Sequence, residues 1–191
     1  MALERIKALV RGSLDIKRLE KNGFVHGKNL NTQHGVIIDP GHCWLIECGD
    51  NVTLAPYVHI LAHDASTKIP LGYTKIGKVT IGNNVFIGAG TTVLPGVTIG
   101  DNIVVGSMSL VSRDLHSGGV YAGNPCMKIM DYSEFTEKHR NKMKESPVFD
   151  DSYIIGEITD EKRIEMKKML EKGIGYIVLI IENIVSFVMQ L

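Results

Sequence analysis

The residue best suited to chemistry is His63, which lies in a long irregular segment, residues 61–78, between two regular stretches of sequence. Imidazole titrates near neutral pH in general, so a histidine can accept a proton from a hydroxyl group and return it later. Long insertions in regular structures are commonly functional. Because a lone histidine is more often simply solvated, this assignment depends on the elements that position the segment.

The sequence after this segment repeats with a period of six. One aliphatic residue opens each repeat, at Ile81, Ile87, Val93, Ile99, Val105 and Val111. Glycine follows it in four of the five complete repeats, and the fifth position is small or β-branched. A period of six matches neither a helix nor an alternating strand, but it is typical of a parallel β-helix. The first-position residues are therefore predicted to point into the coil.

The same six-residue frame extends backwards, more loosely, as far as Phe24. It places these residues at first positions: Phe24, Leu30, Val36, His42, Cys48, Leu54 and Ile60. His42 breaks the apolar rule, so either the frame slips near the run from Asp39 to His42 or a functional feature interrupts it. A carboxylate such as Asp39 can bind hydroxyl groups or orient an imidazole. A plain turn with a hydrogen-bonded histidine is the open alternative.

These stretches resemble the hexapeptide-repeat acyltransferases, and among them the sugar and polysaccharide O-acetyltransferases of the galactoside and maltose acetyltransferase kind. Residues 48–63, 79–88 and 122–125 carry the resemblance, which covers roughly residues 24–131. It implies an all-β solenoid, a left-handed parallel β-helix. It also implies a homotrimer with active sites between neighbouring subunits.

The resemblance implies transfer of an acetyl group from acetyl-CoA to a hydroxyl of a saccharide or glycan precursor. His63 resembles the family's loop histidine, which implies a general base that supports direct attack. Asp39 and Asn31 loosely resemble acceptor-binding residues of the sugar enzymes, and His42 is similar to one member of an Asp–His pair in serine acetyltransferases. His59 lies between two apolar residues and is expected to point outward.

The resemblance also implies a coenzyme A groove along the later coils. Ala89 and Ser107 correspond to small residues that line this groove, and Ser112 with Arg113 resembles the family's Thr–Lys pair. Two positions after Pro125, where a basic residue is usual, this chain has Met127. Lys128 is the expected substitute. The absence of a basic residue at Met127 affects the expected contacts with the phosphates of coenzyme A. The resemblance implies no metal.

Helices are predicted on both sides of the repeat. Residues 1–23 form an N-terminal helical segment, residues 24–131 the β-helix domain with the inserted loop 61–78, and residues 132–191 a C-terminal helical extension. Two helices are expected there, over about 132–145 and 160–172. The apolar tail, residues 174–191, has Glu182 and Asn183 in its middle, which is costly in hydrocarbon. Packing on protein is therefore favoured, with membrane association left open.

Composition narrows the function classes. Lys+Arg and Asp+Glu balance at 21 each among 191 residues, without a basic block, which argues against a nucleic-acid surface. The three cysteines form neither a disulfide framework nor a paired metal motif. The first residues lack the apolar core of a secretion signal, so the expected compartment is the cytoplasm.

Three other functions remain open. A serine acetyltransferase-like enzyme would use an amino-acid acceptor. A γ-class carbonic anhydrase would bind zinc through three histidines, but no histidine occurs between His63 and His116. A non-catalytic β-helix scaffold would be expected to lack the inserted loop and its histidine.

Overall fold

The structure is a computed structural model, which describes residues 14–178. Most of its strands are two or three residues long. In chain order they are β1 (Val25–His26), β2 (Asn31–Thr32), β3 (Ile37–Ile38), β4 (Ile46–Cys48), β5 (Val52–Leu54), β6 (His59–Ile60), β7 (His63–Asp64), β8 (Lys75–Ile76), β9 (Val79–Ile81), β10 (Val85–Ile87), β11 (Thr92–Val93), β12 (Thr98–Ile99), β13 (Ile103–Val105), β14 (Leu110–Val111), β15 (Gly119–Ala122), β16 (Met127–Asp131), β17 (Val148–Phe149) and β18 (Tyr176–Ile177).

The helices are few and lie mainly outside the strand-rich region. They are α1 (Ile16–Lys21), α2 (Lys68–Leu71), α3 (Tyr132–Met143) and α4 (Asp160–Met169), with 3₁₀ turns at Cys43–Leu45, Ala65–Thr67 and Asp151–Tyr153. Only the last turns of the predicted N-terminal helical segment fall within the described residues. Residues 1–13 of that segment lie outside them.

Three sheets of short parallel strands form the repeat domain. The first sheet has the order β1-β4-β9-β12, the second β2-β5-β10-β13-β15-β16 and the third β3-β6-β11-β14. Successive strands of the chain belong to the first, the second and the third sheet in turn, so three strands and three corners make one coil. Among the described strands of these three sheets, β16 alone runs antiparallel, against β15 at the edge of the second sheet. Parallel sheets visited in this order are the architecture of a parallel β-helix.

The core lies between the three sheets and consists of the side chains that point inward from their strands. The prediction that the first positions point inward is confirmed over residues 81–111, where all six are at most 1% exposed. Fifth-position side chains are buried beside them. The polar ones are hydrogen-bonded: Thr91 Oγ1 and Ser109 Oγ both donate to the carbonyl of Gly106, at 3.1 Å and 2.7 Å. Their burial therefore leaves neither hydroxyl donor unsatisfied.

A ladder of asparagines stabilises the corner between the first and second sheets. Asn29, Asn51, Asn84 and Asn102 all have φ between 54° and 57°, in the left-handed region that asparagine tolerates better than most residues. Each of the first three donates from Nδ2 to the Oδ1 of the next, at 2.8 Å, 2.9 Å and 3.1 Å. The asparagines therefore satisfy the backbone geometry of each corner and also join successive coils.

The backward extension of the six-residue frame is wrong before residue 46. In the third sheet Ile38, rather than Val36, pairs with Ile60, and these residues lie 22 positions apart. Ile81 and Ile99 pair one coil further on at a separation of 18. Four extra residues therefore lie between β3 and β4, where the Cys43–Leu45 turn interrupts the coil. The frame slips where His42 broke the apolar rule.

A second insertion lies between β6 and β9, and it is an ordered hairpin rather than an irregular loop. Ile60 pairs with Val93 at a separation of 33 positions, so fifteen residues are added to this coil. Within it, β7 and β8 pair antiparallel, with His63 opposite Ile76 and Asp64 opposite Lys75. The 3₁₀ turn and α2 form the tip.

The described residues from 136 to 178 belong to a second compact unit. Its described part contains the parallel pair β17 and β18 and the helix α4. Thr159 is the N-cap of α4, and the helix ends at Met169, three residues before the predicted end. The pair β17–β18 was not predicted.

Residues 179–191, which are most of the apolar tail, lie outside the described residues. The predicted packing of the tail on protein therefore also falls outside them. Within residues 14–178, no helix combines the length and the apolar character needed to cross a bilayer.

The asparagine ladder generates a testable prediction at Asn84. Asn84→Ala should lower the free energy of unfolding by about 1–2 kcal/mol. Alanine must adopt the same left-handed conformation, but it lacks the side-chain hydrogen bonds that Asn84 makes to Asn51 and Asn102. Asn84→Gly should cost about 1 kcal/mol less than alanine, since glycine adopts this conformation freely. Guanidinium unfolding of both variants beside Thr98→Ala, an exposed strand position, measures the difference. Equal losses for alanine and glycine would contradict the backbone explanation.

Candidate functional site

The two insertions lie at the same corner of the coil, one above the other. The first follows β3 and the second follows β6, and these strands are neighbours in the third sheet. The backbone N–H of Asp39 donates to the carbonyl of Ile60 at 2.9 Å, so the two chains leave the sheet side by side. Asp39 and His63, which are 24 positions apart, meet at this corner.

Asp39 is the most buried charged side chain of the described residues, with 1% of its surface exposed. Its Oδ1 accepts from the N–H of Gly41 at 3.0 Å. Its Oδ2 accepts from the N–H of Ala62 at 3.1 Å and from Nδ1 of His63. Burial raises the pKa of Asp39, but the hydrogen bonds from His63, Ala62 and Gly41 together hold it below its ordinary value. The carboxylate is therefore ionised at neutral pH.

The hairpin β7–β8 holds His63 in place. The N–H of Gly77 donates to the carbonyl of Ala62 at 3.0 Å, directly before the histidine. Directly after it, Asp64 forms an ion pair with Lys75 at 2.6 Å, and the hydrogen bond from Lys75 lowers the pKa of Asp64 to about 2. The backbone on both sides of His63 is thus fixed by contacts within the hairpin or with the coil.

The pairing with Asp39 determines which nitrogen of His63 is available. An ionised carboxylate only accepts hydrogen bonds, so Nδ1 of His63 must carry the proton in this contact. In the neutral ring Nε2 then has the free lone pair. The side chain is 39% exposed, so a ligand can reach the imidazole ring. The arrangement can accept a proton at Nε2 while Asp39 stabilises the resulting imidazolium.

His42 and Trp44 continue the site away from Asp39. The ring of His42 lies 4.9 Å from that of His63 and 5.3 Å from that of Trp44, measured between centroids. Its Nδ1 lies 3.8 Å from Oδ2 of Asp39. Trp44, the only tryptophan of the chain, is 55% exposed. Together the three rings form a continuous aromatic strip beside the dyad of Asp39 and His63.

Other residues singled out by sequence lie elsewhere. Asn31 is in β2 of the second sheet, and its side chain accepts from Nε2 of Gln33 at 2.8 Å. Ala89 and Ser107 lie together at the corner between the second and third sheets, where Met108 N–H donates to the Ala89 carbonyl at 2.8 Å. The structure therefore does not join Asn31 to the dyad by a hydrogen bond.

The expected phosphate contacts are divided between two places. Ser112 and Arg113 follow β14, and so occupy the same corner as Asp39 and His63 on a later coil. Both are exposed. Lys128 lies in β16, where its ammonium forms an ion pair with Asp131 at 2.6 Å, and this contact raises the pKa of Lys128. Lys128 is thus already engaged by a carboxylate.

Sequence reasoning missed Trp44 and the two backbone donors that fix Asp39. A tryptophan three residues after Pro-Gly, in a stretch that breaks the repeat, was a usable signal for an exposed aromatic residue. The hydrogen bonds from the N–H groups of Gly41 and Ala62 could not be predicted from the sequence, because almost every residue has a backbone N–H group.

The repeat is also found in known proteins. Residues 78–113 match the family of bacterial transferase hexapeptide repeats (six repeats). The candidate acetyltransferase YJL218W of Saccharomyces cerevisiae is 40% identical over 111 residues, which are 56% of this chain and 56% of that protein. The chain spans about half the length of the curated relatives it matches.

One solved structure supports the same fold, and a second is similar in sequence. The hexapeptide-repeat acetyltransferase VCA0836 of Vibrio cholerae aligns with a TM-score of 0.52 and 22% identity, over 68% of this chain and 88% of that chain. A maltose O-acetyltransferase of Clostridium difficile 630 is 38% identical, with a TM-score of 0.49 over 56% of this chain and 58% of that chain. The chain therefore contains the hexapeptide repeat of these transferases over residues 78–113, within sheets of short parallel strands.

Removal of the Asp39 carboxylate should loosen the corner locally. Asp39→Ala leaves the buried N–H of Ala62 without its acceptor, which should cost about 1–3 kcal/mol of unfolding free energy. Hydrogen exchange at Gly41 and Ala62 should become faster than in the wild type. The matched control is Asp114→Ala, which removes the carboxylate that accepts from Thr98 N–H at 2.7 Å. If Ala62 exchanges equally fast in both variants, Asp39 does not fix the hairpin.

Proposed function

We propose that this protein is an acetyl-CoA-dependent O-acetyltransferase, with His63 as general base and Asp39 as its positioning residue. The observation that carries the proposal is the hydrogen bond between Nδ1 of His63 and the buried carboxylate of Asp39. It leaves Nε2 of an accessible imidazole ready to accept a proton. Relatives named as acetyltransferases support the reaction class.

The proposed reaction is a direct transfer. The acceptor hydroxyl oxygen attacks the thioester carbon while its proton passes to Nε2 of His63. The tetrahedral intermediate then expels the thiolate of coenzyme A, which takes the proton back from the imidazolium. Nδ1 keeps its proton throughout, and Asp39 stabilises the transient positive charge of the ring. General base catalysis of this kind typically contributes 10²–10⁴-fold.

We place the coenzyme A groove along the corners that flank the third sheet. Ser112 and Arg113 stand on the corner of the dyad, and neighbouring strands of a sheet are about 4.8 Å apart. Ser112 therefore lies about 10 Å along the coil axis from Leu61, two coils earlier, which an extended acyl carrier can span. Ala89 and Ser107 would line the other edge. VCA0836 has been solved with acetyl coenzyme A, which agrees with this co-substrate.

We propose a saccharide or glycan precursor as acceptor, because of the aromatic strip beside His63. Aromatic residues with a few polar groups are typical of small-molecule sites, and the carbon-bound hydrogens of a sugar ring can pack on an indole face. The centroid separations place Trp44 no more than about 10 Å from the ring of His63. One sugar ring can therefore contact Trp44 and present a hydroxyl to Nε2. His42 would contact the same ring.

The assembly is part of the proposal. We propose a left-handed coil that forms a homotrimer with active sites between subunits, residues 24–131 being the acyltransferase domain. Residues 132–191 would be an extension, and Asn31 would act on the acceptor only across a subunit boundary. The serine acetyltransferase-like alternative differs in the acceptor alone, and an acceptor panel that includes serine distinguishes the two.

The proposed base is tested with acetyl-CoA and a panel of free sugars. His63→Ala should lower kcat by about 10²–10⁴-fold, because the hydroxyl proton has no acceptor. Asp39→Asn should lower kcat with little change in KM for acetyl-CoA, since a carboxamide can donate to Nδ1 and favour the wrong tautomer. Acetylated product is quantified by mass spectrometry.

The matched control is His116→Ala, an exposed histidine at the far end of the repeat, which should retain wild-type kcat. If His63→Ala retains more than a tenth of the wild-type kcat, His63 is not the base. If the wild type acetylates serine but none of the sugars, the amino-acid alternative replaces the saccharide.

The aromatic strip predicts a separate effect at Trp44. Trp44→Ala should raise KM for the best sugar about tenfold or more and leave KM for acetyl-CoA unchanged, whereas Trp44→Phe should retain most of the affinity. Because Trp44 is the only tryptophan, quenching of its fluorescence by the sugar reports contact directly. An unchanged KM in Trp44→Ala would remove the indole from the acceptor site.

A further inference from the structure

Two imidazoles converge on one carboxylate oxygen at the insertion corner. Oδ2 of Asp39 is bonded to Nδ1 of His63 and lies 3.8 Å from Nδ1 of His42. One ligand atom from each of the three side chains lies within 4.8 Å of the others. Nδ1 of His42 is enclosed, and among residues 14–178 it has no hydrogen-bond partner. The proposed reaction uses His63 and Asp39 but gives this nitrogen no role.

Two imidazole nitrogens and one carboxylate oxygen are a common ligand set for divalent transition metals, zinc in particular. A buried nitrogen without a partner is costly, and a metal bond would satisfy it. We propose that Asp39, His42 and His63 bind one divalent transition-metal ion of the zinc class, which competes with the proton shared by Asp39 and His63. The fourth position of a tetrahedral ion would be open to water.

The side chains need only small movements to bind such an ion. Zinc–nitrogen bonds of about 2.0–2.1 Å place tetrahedral ligand atoms roughly 3.3 Å apart. Nδ1 of His42 must therefore approach Oδ2 of Asp39 by about half an ångström, and the ligand nitrogens of the two histidines, at most 4.8 Å apart, must also move closer together. The hydrogen-bonded pair of Asp39 and His63 must open. The proton of His63 Nδ1 moves to Nε2 through solvent, so the ring stays neutral and no net proton is released.

This change of tautomer predicts inhibition. With the metal on Nδ1, the proton of His63 lies on Nε2, which then has no lone pair for the acceptor hydroxyl. Asp39 and the metal thus select opposite tautomers of the same ring. The inhibition rests on the proposed function, whereas the binding of metal does not.

Binding is tested on the assembled, chelator-treated protein with Co²⁺, whose visible spectrum reports tetrahedral nitrogen and oxygen ligands, and with Zn²⁺ by titration calorimetry. The wild type should bind one ion per chain. His42→Phe, which keeps an aromatic ring against Trp44 and His63, should lower the affinity at least tenfold, and His63→Ala should do the same. His116→Ala should bind like the wild type. Equal affinity in wild type and His42→Phe, or no stoichiometric binding, would overturn the site.

Activity separates this inference from the proposed function. Zn²⁺ should lower the kcat of the wild type in proportion to occupancy of the site, and a chelator should restore it. Product is measured by mass spectrometry, because Zn²⁺ also binds the thiol of released coenzyme A. Acetyl transfer without metal binding would sustain the function and refute the site. Metal binding with unchanged kcat would refute the tautomer argument and, with it, the role of His63.

Discussion

Each coil of the repeat domain must return the chain to hydrogen-bonding register with its neighbour, and this constraint determines where extra residues can be accommodated. Both insertions, of four and fifteen residues, leave the coil at the corner after the third sheet. Insertions at different corners would have placed their side chains on different faces of the domain. Because these two share a corner on adjacent coils, a carboxylate from one reaches a histidine of the other.

The contact between Asp39 and His63 balances a large desolvation cost against three hydrogen bonds. A carboxylate that is almost completely buried is unfavourable unless its oxygens are satisfied, and here two backbone donors and one imidazole satisfy them. The donor from Ala62 also ties the second insertion to the first. The interaction that selects the tautomer of His63 is therefore also the one that closes the corner.

The sequence predicts the repeat much better than it predicts the site. From Ile81 onward the inward positions follow from period alone, because each repeat is six residues long and the same residue types recur. The extension to Phe24 failed because four inserted residues shift the frame. The early repeats match the six-residue pattern only loosely, so the sequence does not show where residues have been inserted. His63 could be singled out by its segment. Its pairing with Asp39 could not, since that requires the true register of Ile38 against Ile60.

The corner after the third sheet also explains how residues that are distant in sequence can serve one reaction. Asp39, Leu61, Leu94 and Ser112 hold equivalent places on four successive coils, joined by hydrogen bonds from the N–H groups of Asp39, Leu61 and Leu94 to the coil that follows. A ligand that runs along the coil axis therefore meets one residue from each coil. In the proposed reaction the early coils supply the proton-transfer groups and the late coils the acyl carrier's contacts. Their separation is then set by the strand spacing, and the insertions can change in length without disturbing it.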